Sequence, residues 1–112
     1  MASYAVSPLE TARSLGASFD GNSFNVAGFH DLAVSNVVSS ASSLNGTLKL
    51  QGSVDGTNWA DVPSVTATLN ADGTTIFSVA NNSYQFIRLV WTRVGGSGTL
   101  NSKVGTVMTG RF

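Results

Sequence analysis

The sequence predicts an all-β domain, a single sandwich or barrel of about eight short strands. Three observations predict it. Apolar and polar residues alternate with a period of two, β-branched residues fill the alternating segments, and Gly-containing pairs punctuate them. Successive side chains on a strand point to opposite faces, so a period of two marks a half-buried strand.

The N-terminal segment stands apart. Ser7-Pro8-Leu9-Glu10 has the form of a capping box with proline at the first helical position. Residues 1–14 are therefore expected as a short helical turn or an extended arm, with the sandwich domain in 15–112. Leu32 to Val38 is short, apolar and β-branched, and reads as the first clear strand. Thr47 to Val54 alternates strictly, with Leu48, Leu50 and Val54 on one side and Thr47, Lys49, Gln51 and Ser53 on the other. Pro63, Val65, Ala67 and Leu69 share a face, and Thr74 to Ala80 forms a further strand. Gln85 to Val94 sets Ile87, Leu89 and Trp91 on one face, so Trp91 is a core residue. Its mixed second face suits a strand covered in part on both sides. Gly98 to Arg111 reads as a bent or bulged strand. Turns are expected at Asp20-Gly21, Asn45-Gly46, Asp55-Gly56, Asp72-Gly73 and Gly95 to Gly98, because glycine adopts positive φ freely.

Composition limits the function. The 112 residues suit one core. With no cysteine and a single histidine, disulfides, thiolate chemistry and Cys- or multi-His metal sites are excluded within one chain. Six basic and six acidic residues cancel, and charged residues make up 11% of the chain. An average domain has about 25%. Nucleic acid is not an expected partner, since its binding needs clustered Lys and Arg. No apolar stretch approaches a membrane span, and no membrane partner is expected. Met1 to Leu15 has no signal-peptide core, which predicts a chain made and kept in a cytosol or carried out by a non-secretory route such as cell lysis. A nearly uncharged Ser/Thr/Asn surface has little self-repulsion and favours a protein that works assembled.

Chemistry-bearing motifs are sparse. His30 has no nucleophile–base pattern around it, and Asp20, Asp55 and Asp72 each precede glycine, so turn formation accounts for them. The chain reads as non-enzymatic, with no cofactor and no metal. Asp55-Gly56-Thr57-Asn58-Trp59-Ala60-Asp61 is the densest polar cluster; a structured turn is preferred there over a Ca²⁺ site on Asp55, Asn58 and Asp61. Trp59 reads as a core residue or, because it follows that turn, as one at the rim, where with Trp91 it would form a carbohydrate-stacking pair. Arg88 lies within an apolar strand and must be paired or reach solvent, which makes it a structural clamp aimed at Asp55 or Asp61.

Two segments carry a resemblance. Leu48 to Trp59 resembles the strand–S-x-D-G-x-x-W–strand hairpin of small β-sandwich proteins in tailed-phage particles. Phe86-Ile87-Arg88-Leu89-Val90 and Gly96-Ser97-Gly98-Thr99-Leu100 resemble the strand and turn that follow it there. The resemblance covers 46–100, about half the chain, and similar hairpins occur in carbohydrate-binding sandwiches. It implies a jelly-roll-like fold and a capsid decoration (cement) protein on the virion surface. The implied partners are the major capsid protein and further copies of the chain. Asp55, Asn58 and Trp59 are then candidate rim contacts, and Tyr4, Val6 and Leu9 candidate arm contacts. The alternative is a glycan-binding module of a phage tail or bacterial surface.

Overall fold

The computed structural model describes the backbone of residues 2–109 and the side chains of residues 6–106. Seven antiparallel strands and no helix occur among them: β1 (Ala2–Ser14), β2 (Phe19–Asp20), β3 (Phe24–Asn25), β4 (Asp31–Ser53), β5 (Ala60–Leu69), β6 (Gly73–Val79) and β7 (Phe86–Thr109).

Two of these strands are long. β4 spans 23 residues and β7 spans 24, and they pair with each other from Asp31↔Val107 to Ser53↔Phe86. Each serves two layers. In the first layer β1 pairs with 99–109 of β7, which pairs with 31–39 of β4, which pairs with β6. In the second, β2 and β3 pair with 86–91, which pairs with 46–53, which pairs with β5. If the halves of β4 and β7 are counted separately and β2/β3 as one broken strand, eight segments result. Their order is 1-8-3-6 in one layer and 2-7-4-5 in the other. That is the connectivity of a jelly roll, in which two Greek keys wrap a single ribbon into a sandwich. The expected fold class is therefore observed.

The passage between layers explains a departure from the turn expectations. Asn45-Gly46 and Gly95 to Gly98 do not reverse the chain; they lie inside β4 and β7, facing one another where both strands bend. The β4–β7 register slips between Ser39 and Gly46. Ser40 and Ser43 take positive φ (54° and 51°), as does Gly96 (73°). A Cβ on Gly96 would lie 2.5 Å from the carbonyl oxygen of Ser42. Bulges bend a strand and sharpen its twist without ending its pairing. Gly46 serves a close approach rather than a turn: a Cβ there would lie 2.6 Å from the Trp91 indole. Asp55-Gly56 and Asp72-Gly73 do join strands, β4 to β5 and β5 to β6, as expected.

The N-terminal segment also differs. No helical turn forms at Ser7–Glu10, and 2–14 is not a free arm: β1 pairs with β7 from Ala2↔Thr109 to Ser14↔Thr99. Edge pairing satisfies the backbone continuously, and proline is tolerated on an edge strand. Register shifts follow Pro8 and Glu10, and Ala12 takes φ 47°.

One apolar cluster fills the space between the layers. Leu32, Val34, Val38, Leu100 and Val104 come from the first layer, and Leu48, Leu50, Ile87, Leu89 and Trp91 from the second. Trp91 is 1% exposed and donates its indole N–H to Leu15 O at 3.0 Å. Asn36 is fully buried but satisfied: its amide donates to Thr75 O at 3.2 Å and accepts from the Ser102 hydroxyl at 2.8 Å. Pairing a buried amide in this way avoids the cost of an unmet polar group. Glu10, 2% exposed, accepts from the Asn22 backbone N–H at 2.7 Å and from Arg13 at 3.0 Å. It thereby ties β1 to the β2–β3 break.

Candidate functional site

The polar cluster singled out in the sequence folds as the β4–β5 connection, and its side chains are turned inward on one another. Ser53 and Asp55 organise it. Asp55 Oδ1 accepts from the Ser53 hydroxyl (3.0 Å) and from the backbone N–H groups of Thr57 and Asn58 (both 2.8 Å). Oδ2 accepts from the Asn58 side-chain amide at 2.7 Å. Ser53 Oγ in turn accepts from the Gly56 N–H at 2.8 Å. Gly56 takes φ 79°, and a Cβ there would sit 3.5 Å from the Phe86 ring. A carboxylate bonded this often favours its charged form. The Asn58 N–H first, then the Thr57 N–H, then the Asn58 amide and Ser53 hydroxyl hold the Asp55 carboxyl well below the usual carboxylate range. Serine at 53, aspartate at 55 and glycine at 56 are thus the residues this turn requires.

The consequence for the candidate contacts is direct. Asp55 and Asn58 sit at the rim, but their side chains are committed to the turn itself. Trp59 is half-buried immediately before β5 and lies against Arg88, whose guanidinium carbon is 4.4 Å from the ring centroid. Arg88 projects from the outer face of the second layer. It is a clamp, but not onto a carboxylate: its Nε–H donates to Gln51 Oε1 at 3.0 Å. Gln51 then donates to Asp61 Oδ1 at 2.9 Å, and Lys49 reaches Asp61 at 3.1 Å. Gln51 faces both Arg88 and Asp61 in the strand registers, so the amide bridges two groups that lie one strand too far apart to meet. The hydrogen bond from Gln51 first, then the one from Lys49, hold the Asp61 carboxyl below its ordinary value, against the opposing effect of desolvation. Sequence reasoning found Arg88 and Trp59 separately. It missed the bridging amide, although the alternation at Lys49 and Gln51 already placed both on the polar face.

The arm candidates divide. Leu9 is 5% exposed and belongs to the core, so it is not free for a partner. Val6 is 71% exposed on β1. The Tyr4 backbone pairs with Val107, and its side chain lies outside the described residues. His30 is exposed in the loop before β4, with Nδ1 3.2 Å from Asp31 Oδ1. Among the described residues no three His, Asp or Glu side chains gather as a metal site.

No protein-family model and no curated protein matches the chain. Solved structures do match in fold. The SPBc2 prophage-derived protein YomS superposes with a TM-score of 0.67 at 13% identity, over 96% of this chain and 95% of that one. The PBSX exported protein XepA matches with a TM-score of 0.65 at 17% identity; the match covers 95% of this chain and 38% of XepA. The Tobacco streak virus coat protein matches with a TM-score of 0.52 at 12% identity, over 99% of this chain and 89% of that one. At these identities the likeness establishes a shared β fold, found both in phage-derived proteins and in a viral coat protein.

Proposed function

We propose that the chain is a non-enzymatic structural protein of a phage particle that binds the outside of the capsid and cements contacts between coat subunits. The observation that carries this reading is the end-to-end likeness to a prophage-derived protein of nearly the same extent, YomS. The coat-protein likeness, the 11% charge and the phage-type hairpin at Ser53–Trp59 support it. The turn is rigid because Asp55 is bonded on both oxygens, so it presents Trp59 and Arg88 in a fixed arrangement at low entropic cost. Trp59, with the Asp55–Asn58 rim around it, is the proposed shell contact. Tryptophan and arginine are the residue types that dominate interface energetics. Many weak contacts to a multi-copy shell sum to high avidity through effective concentration.

A glycan-binding reading is favoured by one observation. The half-buried Trp59 ring stacks on Arg88, which leads through Gln51 to Asp61 and Lys49, the kind of mixed aromatic and hydrogen-bonding surface that sugars use. Sedimentation of shells lacking the protein separates the two. Co-sedimentation that persists from ~0.1 to ~1 M salt, and that Trp59→Ala abolishes, is expected for shell binding with few ion pairs. Absence of co-sedimentation with the cognate shell, together with binding to host polysaccharide, would replace the first reading with the second.

A further inference from the structure

A sheet edge presents unpaired backbone N–H and C=O groups, and native proteins blunt such edges with proline, charge, bulges or brevity. The first layer ends at β1 and β6, the second at β2/β3 and β5. β1 carries Pro8, Glu10, Arg13 and two register shifts, and Ala12 takes φ 47°. β5 carries Asp61 and Pro63, its register with β4 shifts, and Ser64 takes φ 64°. β2 and β3 are two residues each, broken at Gly21-Asn22-Ser23. β6 has none of these devices. Gly73–Val79 pairs with β4 in unbroken register and contains no charge and no proline. Thr74, Thr75, Ile76, Phe77 and Val79 are β-branched or aromatic, the residue types that favour strand pairing.

The backbone groups that face outward can be assigned. The Asn36 side-chain amide lies 3.2 Å from Thr75 O and 3.4 Å from Val34 O. Asn36 pairs with Thr75, and Val34 with Phe77. Oxygens aimed away from each other across the two strands could not both approach one nitrogen, so both lie between β4 and β6. Along an antiparallel strand, backbone groups of successive residues point alternately to its two sides. Thr75 and Phe77 therefore bond to β4, while Thr74, Ile76 and Ser78 turn N–H and C=O to the open edge. Their side chains share the outer face, where Ile76 is 63% exposed.

We propose that two copies of the chain join edge to edge through β6, antiparallel, about a twofold axis at Ile76. In that register Ile76 faces Ile76 of the other copy, Thr74 faces Ser78, and Asp72 faces Ala80. Thr74, Ile76 and Ser78 then each give and accept one main-chain bond across the axis. Facing residues of antiparallel strands share a face, so the two Ile76 side chains meet. A second copy is the occupant for three reasons. A mating strand needs an unblocked edge of its own, and β6 is the one such edge among the described residues, so each copy carries the mate the other needs. Pairing about a twofold would set like charges together, but residues 73–81 carry none, and Asp72 is engaged by the Ala41 N–H at 2.8 Å. The chain has no net charge to hold copies apart. Pairing uses up both open edges and leaves only blocked ones, so assembly closes at two. Main-chain bonds along about 24 Å of strand, rather than apolar area, hold the contact. That places it among weak, reversible interfaces.

The pairing deepens the assembled-protein part of the virion reading but is tested on isolated protein, so failure of shell binding leaves it standing. The chain has no cysteine, so a single introduced thiol reports its own neighbour. Ile76→Cys sets two thiols across the axis on Cα atoms about 5.5 Å apart, within disulfide reach, and is expected to form a covalent dimer under mild oxidation. Ser35→Cys lies beside Ile76 on β4, one strand further in. Its two copies would be about 14 Å apart in the paired sheet, so it is expected to stay monomeric, whereas stacking of sheet faces would cross-link both variants. Sedimentation equilibrium of the unmodified chain should show monomer and dimer between ~10 µM and ~1 mM. Ile76→Lys, with an unchanged circular dichroism spectrum, should weaken the dimer at least tenfold, because it sets two cations together on the axis. A monomer across that range, or cross-linking of Ser35→Cys as fast as Ile76→Cys, would overturn the proposal.

Discussion

Arg88→Ala tests the account of the second layer's outer face. Two interactions go with the guanidinium. One is its stacking on Trp59 at 4.4 Å, and the other is the 3.0 Å bond to Gln51. A cation over an aromatic ring is worth about 0.5–1 kcal/mol when exposed and about 2 when desolvated. A hydrogen bond from a charged donor contributes about 1.5–3 kcal/mol when buried. Arg88 is half-buried and water replaces part of both, so the lower ends apply and the sum is about 2 kcal/mol. With a urea slope of about 1.5 kcal/mol/M, the midpoint should fall by about 1.3 M. Arg88→Lys keeps the charge but loses the planar fork that stacks and donates together, and should recover less than half of that loss. Urea melts of Arg88→Ala, Trp59→Ala and the double variant close a cycle whose coupling should be about 0.5–1 kcal/mol. An unchanged midpoint in Arg88→Ala would refute the clamp; a coupling of zero would refute the stacking.

Gly52→Ala places a methyl group 2.5 Å from Cγ and 2.6 Å from Cε1 of Tyr84, well inside van der Waals contact. Overpacking of this kind costs about 1–3 kcal/mol. In a Tyr84→Ala background the same change should cost almost nothing, and equal losses in both backgrounds, measured by thermal melting, would sink the packing assignment. Acid stability is the other test. Asp55, Asp61 and Asp31 all have folded-state pKa values below their unfolded ones, Asp31 first through its bond to His30. Below about pH 4 the unfolded chain therefore binds more protons than the folded one. The stabilisation is complete above that pH and is lost as pH falls through the lowered values. Urea midpoints at about pH 5 and about pH 3 should diverge in the native chain and diverge less in Asp55→Ala, where Asp61 and Asp31 remain; equal divergence in both would rule out Asp55 as the main contributor.

The parts of this fold legible in the sequence are those whose physics is local. Alternation at Leu48 and Leu50 and at Ile87, Leu89 and Trp91 reports burial on one face, and all five residues are at most 1% exposed. Asp55-Gly56 and Asp72-Gly73 reverse the chain because a short side-chain acceptor and a positive-φ glycine suffice to do so. The errors arose where the meaning of a glycine depends on what lies opposite it. Gly46 is required by the indole of Trp91, and Gly96 by the carbonyl of Ser43, contacts made across 45 and 53 residues of chain. A glycine in a strand that bends and a glycine in a strand that turns have the same local propensity. Only the partner strand distinguishes them, and β7 bends where β4 does. Val54 shows the converse: it continues the alternation of Leu48 and Leu50, yet it is 67% exposed because the Ser53–Asp55 turn begins there.

The candidate site follows the same rule at the level of side chains. Its turn was readable because Ser53, Asp55, Gly56 and Asn58 bond within five residues of one another. Its clamp was readable only in part. An arginine in an apolar strand announces a need for a partner, but the partner is fixed by register, and register is a property of the whole sheet. Gln51 stands between Arg88 and Asp61 because β4 is the strand between β7 and β5. A carboxylate at position 51 would have met Arg88 directly and also placed a second negative charge beside Asp61. The neutral amide donates to one neighbour and accepts from the other, which joins three strands without adding charge. That choice leaves two cations, Lys49 and Arg88, and one carboxylate, Asp61, linked through a neutral amide across the face.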